Sequence, residues 1–136
     1  MIEKVIVDKK LVAMIIRNGM NVESSTFFSP ADLYLQVSLF KRPKLFEEAP
    51  HFHKKFTRNI NRVEQFMYLL DGEIKLYFYD KKRVLQKRKK VSKGDAVLLI
   101  EGIHGLKILK DAKAISVKQG PFYGDKEDKV NVNIKR

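Results

Sequence analysis

Apolar and polar positions alternate in short runs along most of this chain, and no stretch sustains the 3.6-residue period of a long helix. Val5-Ile6-Val7 and Leu11 to Ile16 read as two strands separated by the polar turn Asp8-Lys9-Lys10, with a further turn at Asn18-Gly19. Leu33 to Phe40 predicts another: Leu33, Leu35, Val37 and Leu39 make one face apolar, while Tyr34, Gln36, Ser38 and Phe40 make the other mixed. Lys41-Arg42-Pro43-Lys44 breaks it. A strand carrying His51-Phe52-His53 then starts after Pro50, a position where a residue without an N–H is tolerated. Gln65 to Leu70 and Glu73 to Tyr79 are expected to form a hairpin across Asp71-Gly72, and a second hairpin loop is expected around Lys81-Lys82-Arg83. Ala96 to Ile100, Ile103 to Leu109 and Ala114 to Lys118 follow as strands, with turns at Glu101-Gly102 and Lys110-Asp111-Ala112. Strands this short and this regularly punctuated predict an all-β sandwich or barrel.

At 136 residues the chain is one domain's worth, with room for a single sizeable core. It has no cysteine, which removes disulfides, zinc fingers and thiolate catalysis from consideration. Met1-Ile2-Glu3-Lys4 does not open the apolar stretch of a signal peptide, and no apolar run approaches the ~18 residues of a membrane span. The expectation is a cytoplasmic protein with no membrane partner. Twenty-eight Lys and Arg against 16 Asp and Glu give a formal charge of +12, a field that attracts anions and says nothing about fold. Much of it falls between Lys81 and Lys93, with eight basic residues and no acidic one. That run contains no aromatic residue for stacking, and no helix-turn-helix, zinc or RNA-recognition pattern accompanies it. It is expected to be a solvated hairpin, with no specific nucleic-acid partner and only weak, salt-sensitive binding to oligonucleotides.

Histidine changes the picture. The chain has three, His51, His53 and His104. Residues two apart on a strand project to the same side, so His51 and His53 offer two imidazoles to one point, a metal-chelating geometry. His104 closes a turn-bounded apolar run that begins at Gly94. This arrangement resembles the cupin superfamily. The first cupin motif reads His-x-His, then a carboxylate, then six residues to a Gly; the second begins with Gly and ends in a metal-binding His. Here Gln65 takes the place of the usual Glu, six residues separate it from Gly72, and Gly94 and His104 frame the second motif. The gap from His53 to Gln65 is longer than in the family, and Glu101-Gly102-Ile103-His104 replaces the common Pro-x-Gly-x-x-His. The ending Lys118-Gln119-Gly120-Pro121-Phe122-Tyr123-Gly124-Asp125 looks like that of a small, poorly characterised cupin group associated with surface-polysaccharide or nucleotide-sugar pathways.

The resemblance implies a single-domain jelly-roll β-barrel (double-stranded β-helix): N-terminal strands over residues 1–30 forming a possible homodimer edge, the barrel over 31–129 and a basic tail over 130–136. It also implies a divalent metal, Zn, Fe, Mn or Ni, on His51, His53 and His104 with Gln65 as a weaker fourth ligand. Glu64 is the rival to Gln65. It should point to the opposite face unless a bulge turns it inward. Three imidazoles and an amide are all neutral, so the ion would keep its full charge and favour a small anionic, oxygen-rich ligand such as a sugar phosphate or a hydroxy or keto acid. Arg58 and Arg62, on the basic loop between His53 and Gln65, are candidates to grip it bidentately, and Tyr123 is a candidate to lean over the barrel mouth. The expected activity is a metal-dependent isomerase or dioxygenase. The alternatives are a metal-free sugar epimerase or isomerase with a histidine base and a tyrosine acid, or a non-catalytic ligand-binding module.

Overall fold

Strands make up nearly all the regular structure in the computed structural model, which describes residues 1–135. β1 (Ile2–Val7) and β2 (Lys10–Ile16) form a hairpin, its turn made by Asp8 and Lys9 at φ 50° and 63°. β3 (Thr26–Phe27) and β4 (Ser38–Leu39) form a separate two-residue ladder. β5 (Gln65–Tyr79), β6 (Leu85–Ser92), β7 (Ala96–Leu99) and β8 (Ile103–Lys118) complete the main sheet, and α1 (Asp125–Asp128) is a single turn. The main sheet is antiparallel throughout, in the order β1-β2-β7-β5-β6, with β8 on the opposite edge of β5.

The register forces this sheet to curl. β6 and β7 act as one interrupted partner of β5, running from Leu85 beside Tyr79 to Leu99 beside Gln65. β8 lines the other edge from Ile103 beside Tyr79 to Lys118 beside Gln65. A straight 15-residue strand would hold its ends about 46 Å apart. Yet the chain passes from Leu99, at one end of β5, to Ile103, at the other, in four steps that reach ~14 Å at most. β5 must bend back on itself, and the result is a half-barrel.

The bend sits at Gly72, where φ is 86°. A Cβ there would run into the Asp111 carbonyl and the Ala112 backbone, so the close approach of β8 needs glycine. Register shifts flank this point on both strands. Asp71-Gly72 is therefore a corner inside one strand, not the hairpin turn its sequence predicts. Lys110-Asp111-Ala112 is likewise a corner inside β8. Each half of β5 is already paired on both edges, which leaves nothing for the halves to pair with each other. The loop at Lys81-Lys82-Arg83 does close a hairpin, with Asp80 N donating to Val84 O at 2.9 Å.

One face of the sheet buries Val5, Ala13, Ile15, Leu76, Phe78 and Val97 in the concavity. The other face buries Met14, Leu98 and Ile100 under Leu33, Leu35 and Val37. The alternation of the 33–40 segment thus marks its buried side, although only Ser38–Leu39 of the expected strand forms. Side chains take up the backbone N–H groups that a ladder would have used: Leu35 N donates to Glu64 Oε1 at 2.9 Å and Val37 N to Ser29 Oγ at 2.8 Å. The strand expected around His51-Phe52-His53 is absent. Residues 41–63 contain no strand and are mostly exposed, because no sheet edge lies against them to supply a ladder. Of the two N-terminal strands only β1 has an open edge; β2 lies inside the sheet. None of the described helices is long and apolar enough to cross a membrane. Arg136, the last residue of the expected basic tail, lies outside the described residues.

Candidate functional site

The curl of β5 brings its two ends, Gln65 and Tyr79, to one cavity of about 760 Å³. His104 and Lys118, from the two ends of β8, join them on the wall. Arg62 enters from the loop before β5, and the tail from Asp128 to Val132 forms the facing side.

His104 stands opposite Phe78 in the β5–β8 ladder, so it shares the core-facing side of the sheet. Its Nδ1 lies 3.4 Å from the Gly102 carbonyl, which favours the Nδ1–H tautomer and leaves the Nε2 lone pair available. Desolvation by the cavity wall lowers its pKa from the ordinary value, Lys129 adds to the effect, and the Gly102 carbonyl opposes it. The residue is also open to solvent, which limits the shift. The net lowering favours neutral imidazole at pH 7. Gln65 donates its Nε2 to Ser116 Oγ at 2.6 Å, and its Oε1 has no partner among the described residues.

Arg62 is held from behind by Glu64. The carboxylate is fully buried, accepts Arg62 Nη2 at 2.7 Å and Nε at 3.2 Å through Oε2, and accepts Leu35 N through Oε1. The guanidinium lies 4.9 Å from the Tyr34 ring centroid. Its Nη1 has no partner among the described residues. Glu64 thus faces away from the cavity, as strand alternation requires, and locks the 33–37 segment to the end of β5. On the far side its backbone N donates to Gln119 Oε1 at 2.9 Å, while Gln119 Nε2 is buried without a partner among the described residues. Arg62 sits at a bend two residues before Glu64, so its guanidinium reaches the carboxylate while also lining the cavity, a contact that residue spacing alone does not give.

The remaining candidates lie elsewhere. His51 and His53 are exposed, with ring centroids 5.2 Å apart and edge to face; His51 Nδ1 is 3.0 Å from the Ala49 carbonyl. Neither lines the cavity. Arg58 stacks on Phe56 at 3.6 Å, and Tyr123 is 78% exposed; both are also off the lining. The structure therefore brings Arg62, Gln65 and His104 together, keeps His51 with His53, and leaves Arg58 and Tyr123 apart. Among the described residues no three His, Cys, Asp or Glu side chains are arranged to hold a metal. Sequence reasoning missed Tyr79 and the ion pair of Lys118 with Asp128 at 2.8 Å, which ties the tail to the cavity wall.

No family model, curated protein or solved structure matches the chain.

Proposed function

We propose that the protein is a metal-binding barrel of the cupin kind, which binds and transforms a small anionic ligand such as a sugar phosphate or a hydroxy or keto acid. In this reading residues 41–63 complete the jelly roll by pairing with the free edge of β8 in the metal-bound state. The observation that carries it is the row His104, Leu106 and Ile108, in register with the core residues Phe78, Leu76 and Ile74. Leu106 and Ile108 face the core side yet remain 51% and 50% exposed, so the barrel is open along this row. The 41–63 segment has exposed apolar side chains to offer in return, among them Phe46, Phe52 and Phe56. A strand added there would carry His51 and His53 towards His104.

The donor chemistry suits this reading. His51 and His104 each have a carbonyl beside Nδ1 that leaves Nε2 free as a ligand, and Gln65 Oε1 is uncommitted. A divalent ion held by these residues would supply Lewis acidity and attract an anion. Arg62, braced by Glu64, would orient a carboxylate or phosphate through Nη1. A second reading is a metal-free isomerase in which neutral His104 takes the proton; Tyr79 also borders the cavity but stands on the opposite face of the β5–β8 ladder and is not assigned as the acid.

Elemental analysis after loading with excess zinc and desalting decides between them. About one ion per chain is expected, lost in the His51→Ala, His53→Ala double variant and held more tightly in Gln65→Glu, which should in turn bind citrate more weakly. Absence of stoichiometric metal, or its retention by the double variant, would reject the metal reading. Ligand turnover that persists in chelator would favour the metal-free one.

A further inference from the structure

The sheet face opposite the core carries a second surface, separate from the cavity's histidine. Along β5, Ile74, Leu76 and Phe78 point inward, and Glu73, Lys75, Tyr77 and Tyr79 point outward. The registers on both edges assemble these outward residues into rows. Lys107, Lys75 and Lys90 stand side by side across β8, β5 and β6. The next row is Gly105, Tyr77 and Arg88, followed by Ile103, Tyr79 and Leu85. Like charges directly opposite one another on neighbouring strands are destabilising. The nearest acidic relief is Glu73, which bridges Lys90 at 3.0 Å and Lys110 at 3.1 Å. Among the described residues no carboxylate forms an ion pair with Lys75, Lys107 or Arg88.

Beside this cluster the structure supplies what the basic run lacks in sequence. Tyr77 and Tyr79 come from the neighbouring strand, two residues apart and so about 7 Å apart along it. With Arg88 and Lys135 they line a groove of about 530 Å³. Two aromatic side chains on a central strand, flanked by unrelieved positive charge, are the two elements that bind single-stranded nucleic acid without regard to sequence. Phosphates neutralise the lysine row, and unpaired bases stack on the phenol rings. A sulfated or carboxylated polysaccharide would use the lysines and leave the tyrosines idle. A duplex would keep its bases stacked on one another.

We propose that the outward face of β8, β5 and β6 binds single-stranded nucleic acid independently of sequence, with Tyr77 and Tyr79 as stacking residues and Lys75, Lys107 and Arg88 as phosphate contacts. The test is fluorescence anisotropy of a labelled 15-mer of deoxythymidine on the full chain in chelator, which keeps it independent of the metal proposal. Three phosphate contacts predict a slope of about −2 for log K against log salt, falling by about 0.7 for each of Lys75→Gln and Lys107→Gln. Tyr77→Ala and Tyr79→Ala should each weaken binding at least about fivefold, and Phe at either position should restore it. The chain has five Tyr and no Trp, so stacking should also quench its intrinsic emission in the unaltered protein, whereas heparin should not. Absence of binding at 50 mM salt would overturn the proposal, as would equal affinity for a duplex of the same length. Binding without quenching, or tyrosine variants that bind like the parent, would reduce the face to a general polyanion surface and overturn it equally.

Discussion

The two flanks of β5 follow the same rules of pairing and reach opposite states of burial. On the β6–β7 side, core-facing residues such as Val91 and Val97 are at most 1% exposed, as is Leu76 of β5 beside them. On the β8 side, Leu106 stands opposite Leu76 in register and is 51% exposed. The ladder between β5 and β8 spans the full length of β5, so backbone pairing is not what differs. Burial needs a second layer across the concavity, and β1 and β2 provide one for the first flank only. Glu3 reaches Lys89 at 3.5 Å where β1 closes towards β6.

The largest test of this contrast is a matched pair of truncations. Leu76→Ala should cost about 3 kcal/mol in urea unfolding of the metal-free protein, because it opens a cavity in a closed core. Leu106→Ala should cost less than about 1 kcal/mol, because its side chain is already half in water. Equal losses would show that the two flanks do not differ. The proposed closure sharpens the comparison further: with zinc present, the cost of Leu106→Ala should rise towards that of Leu76→Ala.

A smaller effect concerns the lock at the closed flank. Asp95 accepts hydrogen bonds from Asn18 N at 2.8 Å, Ser92 N at 3.0 Å and Arg17 Nη1 at 2.9 Å. Burial pushes its carboxyl pKa up, but these donors outweigh burial and hold it below the ordinary carboxylate range. A folded-state pKa below the unfolded one contributes stability that is complete above the unfolded value and disappears as pH falls through the folded value. Stability should therefore decline on the acid side of about pH 4. Asp95→Asn should lose about 2 kcal/mol at pH 7 and show a shallower acid decline. Urea midpoints between pH 7 and pH 3 check this, and parallel curves for the two proteins would remove Asp95 from the lock.

The smallest change in stability belongs to β1. Its outer edge is where we place a homodimer contact, and Ile6 on it is 45% exposed. Ile6→Glu should barely alter folding yet shift the mass seen by light scattering at ~100 µM from dimer to monomer. A monomer mass for the parent protein would end this placement.

The all-β architecture was legible because period-two alternation survives in Val5 to Val7, in Ile74 to Phe78 and in the buried face of Leu33, Leu35 and Val37, and because Val12 to Ile16 is a short apolar run bounded by turns. The corners were not. Asp71-Gly72 signals a positive φ, which is present, but the same signal serves a hairpin or a bend, and only the pairing of both edges decides. Gln65 and His104, at the two ends of the curled β5–β8 ladder, line one cavity because both strands around them formed. The strand for His51 and His53 was not decided by its own residues, because a strand exists only where a partner edge meets it. Glu64 was weighed only as a metal ligand; its burial beside Arg62 depends on the 33–37 segment folding over it, which no local pattern records.

The place of β2 in the sheet has a consequence for the chain while it is being made. Val12 to Ile16 is a run of five residues, all buried in the finished protein, with apolar side chains on both faces. One edge of β2 is covered at once by β1, but the other waits for β7, where Ala13 meets Leu99, 86 positions later in the chain. At the usual pace of translation that delay is about 4–17 s. For that time the growing chain presents an apolar strand with one edge unpaired, a segment of the type that chaperones engage.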